Sequence, residues 1–430
     1  MSDINSVGVV GLGYVGLPLA AAFARAGLEV TGVDLDESKV ERLNSGESYI
    51  ERVPSAELKT LVESGAFRAT TDHAALGQAD AICICVPTPL AEAHVPDLSA
   101  VEGTCRLIGE VLKAGQLVVL ESTTYPGTTD EVVRPILEEA SGLSAEQDFH
   151  LAFSPEREDP GNKTHSIGTI PKVVGGVTPE ATRAAAALYS RVAPEVVRVS
   201  SARAAEATKM LENTYRAVNI ALVNELKGIF EKLDIDIWEV IDAAKTKPFG
   251  FHAFHPGPGM GGHCIPVDPF YLWWKARTLG EDARFIELAG RVNVEMPRRV
   301  VARIESALSD RGRALKGARV LLLGAAYKPD IDDERESPFY EIASGLIERG
   351  AEVSYHDPHI PRLRPTRRHD LGLESVELTP GALSGADCVV IVTDHSAFDP
   401  DEIVSHSKLV VDTRNATRGV KDGLEKVVKA

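Results

Sequence analysis

Cysteine is scarce in this chain, and the little present forms no recognisable pattern. There are 5 cysteines in 430 residues, and no two stand in a Cys-x-x-Cys spacing. An odd number of scattered thiols fits a reducing compartment, not a disulfide framework. No metal site is expected, because His263 beside Cys264 lacks two further ligands at a workable spacing. Basic charge is also in short supply: 46 Lys and Arg face 63 Asp and Glu, leaving a net charge of −17. Nothing in that balance neutralises phosphate in bulk, so nucleic acid is excluded as a partner, while a local basic pocket for a small anion is not. No apolar run approaches the ~20 residues of a membrane span. The opening Met-Ser-Asp-Ile-Asn has neither the basic nor the apolar stretch of a signal peptide. The expectation is a cytoplasmic protein without a membrane partner.

What is present begins with ordinary globular composition, 44% hydrophobic and 25% charged, and enough length for two or three domains. Residues 7–16 run from an apolar strand directly into Gly11-x-Gly13-x-x-Gly16. An apolar helix follows from Leu17 to Ala26, and a second strand, Glu29 to Val33, ends at Asp34. Strand, glycine turn, helix and a distant acid together form the dinucleotide fingerprint. Gly11 permits the tight turn, Gly13 lets a pyrophosphate approach the backbone, and Gly16 lets helix and strand pack closely. Asp34 is expected to take the adenosine ribose hydroxyls and to repel a 2′-phosphate, so the cofactor reads as NAD.

Three further strand-like runs end in polar residues: Ala79–Val86 before Thr88, Leu117–Leu120 before Thr123, and Phe149–Phe153 before Glu156. In a parallel sheet these ends share one crevice. Cys83, Cys85 and Cys388 read as core residues. From Ala204 to about Leu233 the pattern is helical, ~45 Å in length, long enough to span two domains or to form a subunit interface. Lys209 and Asn213 are i,i+4 on it and share a face, either as a solvated stripe or as oxyanion donors. Helical stretches follow at Phe270–Arg277 and Arg284–Arg311, the second expected to be broken or kinked at Pro297. A last α/β unit begins at Ala318–Gly324, but its turn, Gly324-Ala325-Ala326-Tyr327-Lys328-Pro329, lacks the fingerprint. Lys328 there points to a smaller nucleotide's phosphate, and Ser337-Pro338 reads as a helix start.

Between the long helix and the last unit lies Gly257-Pro258-Gly259-Met260-Gly261-Gly262-His263-Cys264-Ile265-Pro266-Val267-Asp268-Pro269. No helix or strand tolerates that density of glycine and proline, so this is a shaped loop. It either presents Cys264 to a bound molecule or holds a structural thiol beside a tight turn.

This loop resembles the catalytic loop of the UDP-glucose/GDP-mannose dehydrogenase family. The resemblance runs from Gly8 to about Asn415 and takes in Val86-Pro87-Thr88-Pro89, Ser122-Thr123, Ser154-Pro155-Glu156, Lys209 with Asn213, and Lys328-Pro329 through Arg335-Glu336-Ser337-Pro338. It implies two Rossmann-like doubly wound α/β domains joined by a central helical domain with one long helix, at 1–200, 201–312 and 313–430. It also implies oxidation of a UDP-sugar at C6 from alcohol to acid, with two NAD and no metal; the long helix sets the expectation of a homodimer or higher homo-oligomer. Cys264 would form a thiohemiacetal and then a thioester. Lys209 and Asn213 would stabilise oxyanions, Asp268 would position Lys209 or a water, and Glu156 with Thr123 would serve as base. Lys39, Thr88, Thr123 and Arg335 join the glycines and Asp34 as expected cofactor contacts. Glu156, Arg157, Lys209, Asn213, Phe254, Gly261 and Lys328 are expected at the substrate. The strings around Arg157 and Lys247–Gly259 look like members acting on UDP-N-acetylglucosamine, with UDP-N-acetylmannosamine and UDP-glucose as alternatives. A two-electron NAD dehydrogenase and a non-catalytic nucleotide-binding protein are the rival classes.

Overall fold

The computed structural model describes residues 4–50, 52–91, 94–158, 166–262, 265–366 and 369–430. Contacts divide the chain into two compact units, Met1–Glu212 with Phe270–Asp282, and Asn213–Pro269 with Ala283–Ala430.

The first unit is built on β1 (Ser6–Val10), α1 (Gly16–Arg25), β2 (Glu29–Val33), α2 (Glu37–Asn44), α3 (Ser55–Glu63), β3 (Phe67–Thr70), β4 (Ala81–Ile84), α4 (Ser99–Val111), β5 (Leu117–Leu120), α5 (Arg134–Ser141), β6 (His150–Phe153), β7 (Lys172–Gly176), α6 (Pro179–Tyr189) and β8 (Val196–Arg198). The eight strands lie in the order β3-β2-β1-β4-β5-β6-β7-β8. All neighbours are parallel except β6 and β7, which are antiparallel. Parallel strands buried on both faces need apolar residues at every position. The residues of β4 and β5 alternate accordingly. Ala81, Cys83, Leu117 and Val119 pack with α1 and α6 on one face. Ile82, Ile84, Val118 and Leu120 pack with α4 and α5 on the other. The registers Val33–Val10–Ile84–Leu120–Phe153 put five strand ends in one row, so the expected common edge is present.

Helix α7 (Ala202–Lys232) is continuous over 31 residues, and contributes through Glu212 to the first unit and from Asn213 to the second. The second unit continues with α8 (Ile237–Ala244). Helix α9 (Asp268–Thr278) then begins there, and its residues from Phe270 belong to the first unit. The remainder is α10 (Arg284–Ser309), β9 (Arg319–Leu323), α11 (Pro338–Glu348), β10 (Glu352–His356), α12 (Pro380–Gly385), β11 (Cys388–Ile391), α13 (Pro400–His406), β12 (Val410–Asp412) and β13 (Val427–Lys429). Its five strands run β10-β9-β11-β12-β13, all parallel. Helices α10 and α11 cover one face and α12 and α13 the other. Several helices open on a hydroxyl or carboxylate cap followed by proline, among them Ser337-Pro338, where Ser337 accepts from the Phe339 N–H.

One expectation needs correction. Pro297 does not break α10, which runs unbroken from Arg284 to Ser309 with Pro297 buried inside it. Burial of Met296, Val300, Val301 and Ile304 along that side outweighs one lost backbone bond. Cys85 lies at the edge of the core, packed against the cluster that holds Cys83. It is half-buried, with its Cβ 3.2 Å from where a Cβ on Gly16 would lie.

Candidate active site

The glycine turn follows from the row of strand ends. Gly11 leaves β1 with φ +88°, and its N–H donates to Val33 C=O at 2.8 Å. A Cβ on Gly16 would stand 1.8 Å from Gly11 O, so only glycine lets α1 start there. A Cβ on Gly13 would meet nothing within 4 Å, which leaves room on that side for a phosphate. Asp34 accepts from the Leu12 N–H at 2.9 Å and the Asp36 N–H at 3.1 Å, with Lys39 Nζ 3.8 Å away. The turn is thus braced by the acid expected at the ribose, and these residues fit NAD.

The ends of β4 and β5 are tied together. Thr88 Oγ1 donates to Thr123 C=O at 2.7 Å and Ser122 Oγ to Val86 C=O at 2.7 Å. Tyr271 of α9 donates to Thr88 C=O. The loop after β6 is held as firmly. Lys209 donates to Glu156 C=O, and Arg157 reaches Glu212 at 2.7 Å and Pro171 C=O at 2.6 Å. Glu156 itself accepts from the Glu158 N–H. One turn before Lys209, the buried Glu206 accepts from the Gly127 N–H at 2.5 Å, the Thr129 N–H at 2.8 Å and Thr129 Oγ1 at 2.6 Å. Burial pushes its carboxyl up to about 7, against those three donors. The first turns of α7 therefore clamp the two loops that carry Thr123 and Glu156.

In the second unit, Asn213 is buried and its amide donates to Asp268, the first residue of α9. His263 and Cys264 lie outside the described residues. The chain leading to them is tightly seated. Gly257 N–H donates to Asn224 Oδ1 at 3.0 Å, and Gly262 N–H donates to Arg335 C=O at 3.0 Å. A Cβ on Gly261 would stand 2.5 Å from Tyr327 Cβ and 3.0 Å from Glu336 O. Gly261 and Gly262 are required by close packing against Tyr327 in the turn after β9. Phe254 packs edge-on to Tyr215 at 5.6 Å.

Family models account for most of the chain: the NAD binding domain of the UDP-glucose/GDP-mannose dehydrogenase family over residues 5–193, its central domain over 203–295 and its UDP binding domain over 321–419. The chain belongs to that family. Among its relatives, UDP-N-acetyl-D-glucosamine 6-dehydrogenase of Pseudomonas aeruginosa is 39% identical over 93% of this chain and 92% of its own. NDP-N-acetyl-D-galactosaminuronic acid dehydrogenase of Ralstonia nicotianae is 38% identical over 96% of each. The solved structure of UDP-D-ManNAc dehydrogenase from Pyrococcus horikoshii superimposes with a TM-score of 0.89, at 32% identity over 99% of this chain and 98% of that one. Membership establishes a nucleotide-sugar dehydrogenase with an NAD binding domain and a UDP binding domain.

Within the UDP binding domain, the turn after β9 carries Lys328, half-buried, and Arg335. Arg335 forms a fork with Asp333 at 2.6–3.1 Å. Sequence reasoning missed Asp357, a buried acid placed one residue after β10. It accepts from the Ala325 N–H at 2.6 Å and the Ala326 N–H at 3.0 Å. On its other side it accepts from the His359 and Ile360 N–H groups. Burial works against its charge, but these bonds and one from His395 hold it down at about 2. His395, His359 and Asp330 cluster within 4.8 Å, at metal-ligand spacing. The Asp330 N–H, however, donates to His395 Nδ1 at 3.0 Å, so Nε2 carries the proton and donates to Asp357 at 3.0 Å. Both imidazole nitrogens are engaged.

Glu206, Glu121 and Lys172 were also missed. Their signal was an ionisable residue embedded in an apolar strand or in the apolar stripe of a helix, where it needs a partner to be tolerated.

Proposed function

We propose that this chain oxidises the C6 alcohol of UDP-N-acetylglucosamine to the uronic acid, with Cys264 holding the sugar between two oxidations. The observation that carries the reading is the bond from the buried Asn213 amide to Asp268, which fixes an amide donor at the residue four positions after Cys264. NAD, when bound, accepts a hydride, and so two electrons, in each oxidation. The balance is one alcohol, two NAD⁺ and one water giving one carboxylate, two NADH and three protons. The Cys264 thiolate adds to the intermediate aldehyde carbon, forming a C–S bond and a thiohemiacetal oxygen. Loss of the second hydride leaves a thioester. Water then attacks the carbonyl, the C–S bond breaks and the thiolate is released. At an ordinary pKa only about 3% of the thiol is ionised at neutral pH, so donors that favour the anion raise the rate.

Lys209 and Asn213 donate to the oxyanions of these steps, Asp268 orients the Asn213 amide, and Glu156 with Thr123 takes protons. Lys209 gives one N–H to Glu156 C=O, leaving two for an oxyanion. Gly11, Gly13, Gly16, Asp34, Lys39 and Thr88 hold the cofactor. Arg157, Phe254, Gly261 and Lys328 are assigned to the sugar nucleotide, and Arg335 to the cofactor. The functional modules are 1–200, 201–312 and 313–430, and the protein works in the cytoplasm, supplying uronic acid sugars for surface polysaccharide. N-acetylglucosamine is preferred on the sequence around Arg157, which the structure holds against Glu212.

Two molecules associate through an apolar strip: Tyr215, Leu222 and Ile229 of α7 and Phe285 and Leu288 of α10 are exposed, while Ala221, Ala289 and Val292 beside them are buried together. A monomer mass in sedimentation would refute this. The catalytic test is NADH counted per sugar consumed across a panel of UDP-hexoses. Two NADH per UDP-N-acetylglucosamine, and acid formation abolished in Cys264→Ala with NAD still bound, are expected. One NADH per sugar, or unchanged acid formation in Cys264→Ala, rejects the mechanism.

A further inference from the structure

Beneath the loops that carry Thr123 and Glu156 lies a trio with almost no solvent contact: Glu121, one residue past β5, Lys172, the first residue of β7, and Tyr189, the last of α6. Lys172 Nζ donates to Glu121 Oε2 at 2.6 Å and to Pro155 C=O at 3.1 Å. Tyr189 Oη donates to the other oxygen of Glu121, and the Tyr189 ring lies 5.1 Å from the ammonium. Burial works against the Lys172 charge, but Glu121 and Glu156 outweigh it and keep the ammonium protonated above its usual range.

A buried ion pair of this kind adds little stability over a well-packed apolar pair. Its effect here is geometric. Pro155 C=O is held by Lys172 and Glu156 C=O by Lys209, so both peptide groups flanking the Glu156 Cα are fixed by buried ammonium groups. Glu121 also ties the end of β5, next to Thr123, to the start of β7. The ionisable groups that face Glu156 are Lys172, Glu121, Glu158, Cys85 and Lys209. Arg52, at 3.2 Å, offsets the charge of Glu158.

We propose that Lys172, seated on Glu121 and Tyr189, is a positioning residue that fixes the backbone carrying Glu156 and so aims its carboxylate. The inference rests on Glu156 being the base. It assigns a function to a buried ion pair outside the residues given to sugar and cofactor.

The test uses the full-length enzyme with NAD and its best UDP-sugar. Lys172→Met, and Glu121→Gln with Lys172→Met, which leaves no orphan charge, should each lower kcat about 10- to 100-fold. KM and NAD affinity should stay within about twofold. Lys172→Arg should retain more activity than Lys172→Met. A folded double variant with wild-type kcat overturns the proposal. If neither neutral variant folds, the isosteric Tyr189→Phe decides. A several-fold lower kcat at constant KM supports the proposal, and wild-type kcat overturns it. Glu156→Gln separates the two levels. Wild-type kcat in that variant refutes the base assignment, whereas an impaired Glu156→Gln beside a normal double variant refutes only the positioning.

Discussion

Replacing Glu206 by Gln should change how stability depends on pH. Glu206 is fully buried, and its carboxyl is raised from 4.5 to about 7 by burial, with three donors from Gly127 and Thr129 pulling the other way. In the unfolded chain it titrates near its ordinary value. Between those two values the folded protein holds a proton that the unfolded chain has released, so stability from this group falls as pH rises through the window. At about 1.4 kcal/mol per pKa unit the whole swing is roughly 3 kcal/mol. For a domain of about 150–250 residues this is roughly 6–12 °C in Tm. The glutamine amide cannot titrate. It also presents an NH2 group to donors, a cost that does not depend on pH. The Tm difference between variant and wild type should therefore rise by several degrees from pH 5 to pH 8, whatever its absolute value. Scanning calorimetry of both proteins at half-unit intervals measures it. A difference that stays flat across that range would falsify the balance argued here, and would mean that the three hydrogen bonds keep Glu206 ionised throughout.

Three further outcomes are expected. In Gly16→Ala the new Cβ would stand 1.8 Å from Gly11 O, so the turn must shift. NAD affinity should drop at least ~10-fold by titration calorimetry for an overpacking cost of about 1–3 kcal/mol, and unchanged affinity contradicts the assigned cradle. Asp34→Asn keeps an acceptor for the Leu12 N–H while removing the charge. The NADP/NAD ratio of kcat/KM should rise about 10-fold, and a constant ratio rejects the ribose role. Lys227 is buried in α7 with no hydrogen-bond partner for its ammonium among the described residues, and burial lowers its pKa from 10.5 to about 8. Below pH 8 the folded protein bears that cost in full, roughly 3 kcal/mol, and it is relieved as pH rises from 8 toward 10.5. Lys227→Met should therefore raise Tm at pH 7 and gain less at pH 10, and an equal or lower Tm at pH 7 would refute the cost.

Most of the frame was legible because its signals are local. The Gly11–Gly16 turn, the apolar strands and the Ser337-Pro338 cap are each set by a few neighbouring residues. Strand β3, Phe67–Thr70, escaped notice because it is an edge strand with Arg68 exposed, and so lacks the continuous apolar run of β4 and β5. The reversal of β7 was hidden because an antiparallel neighbour has the same composition as a parallel one once both faces are buried. At the site, the residue types were legible but their partners were not. Arg157 read as a substrate contact, and its partner Glu212 lies 55 positions away. The long-range pairs Glu121–Lys172 and Glu206–Thr129 carry no spacing rule at all.

The two sheets explain why one binds a dinucleotide and the other need not. Each begins with the same device: a strand, then a glycine at φ +88° whose N–H donates to the end of the next strand, at 2.8 Å from Gly11 and 2.9 Å from Gly324. The second N–H after each strand donates to an acid placed just past that neighbouring strand, Asp34 in one case and Asp357 in the other. The devices then part. Asp34 takes one N–H from its turn and stays partly exposed. Asp357 takes four backbone N–H groups and an imidazole and is buried. A carboxylate with five donors has no lone pair left for ribose hydroxyls. The position of Gly13 is taken by Ala326, which is buried and cannot give a phosphate the same approach to the backbone. The second turn has been closed as a dinucleotide cradle from within.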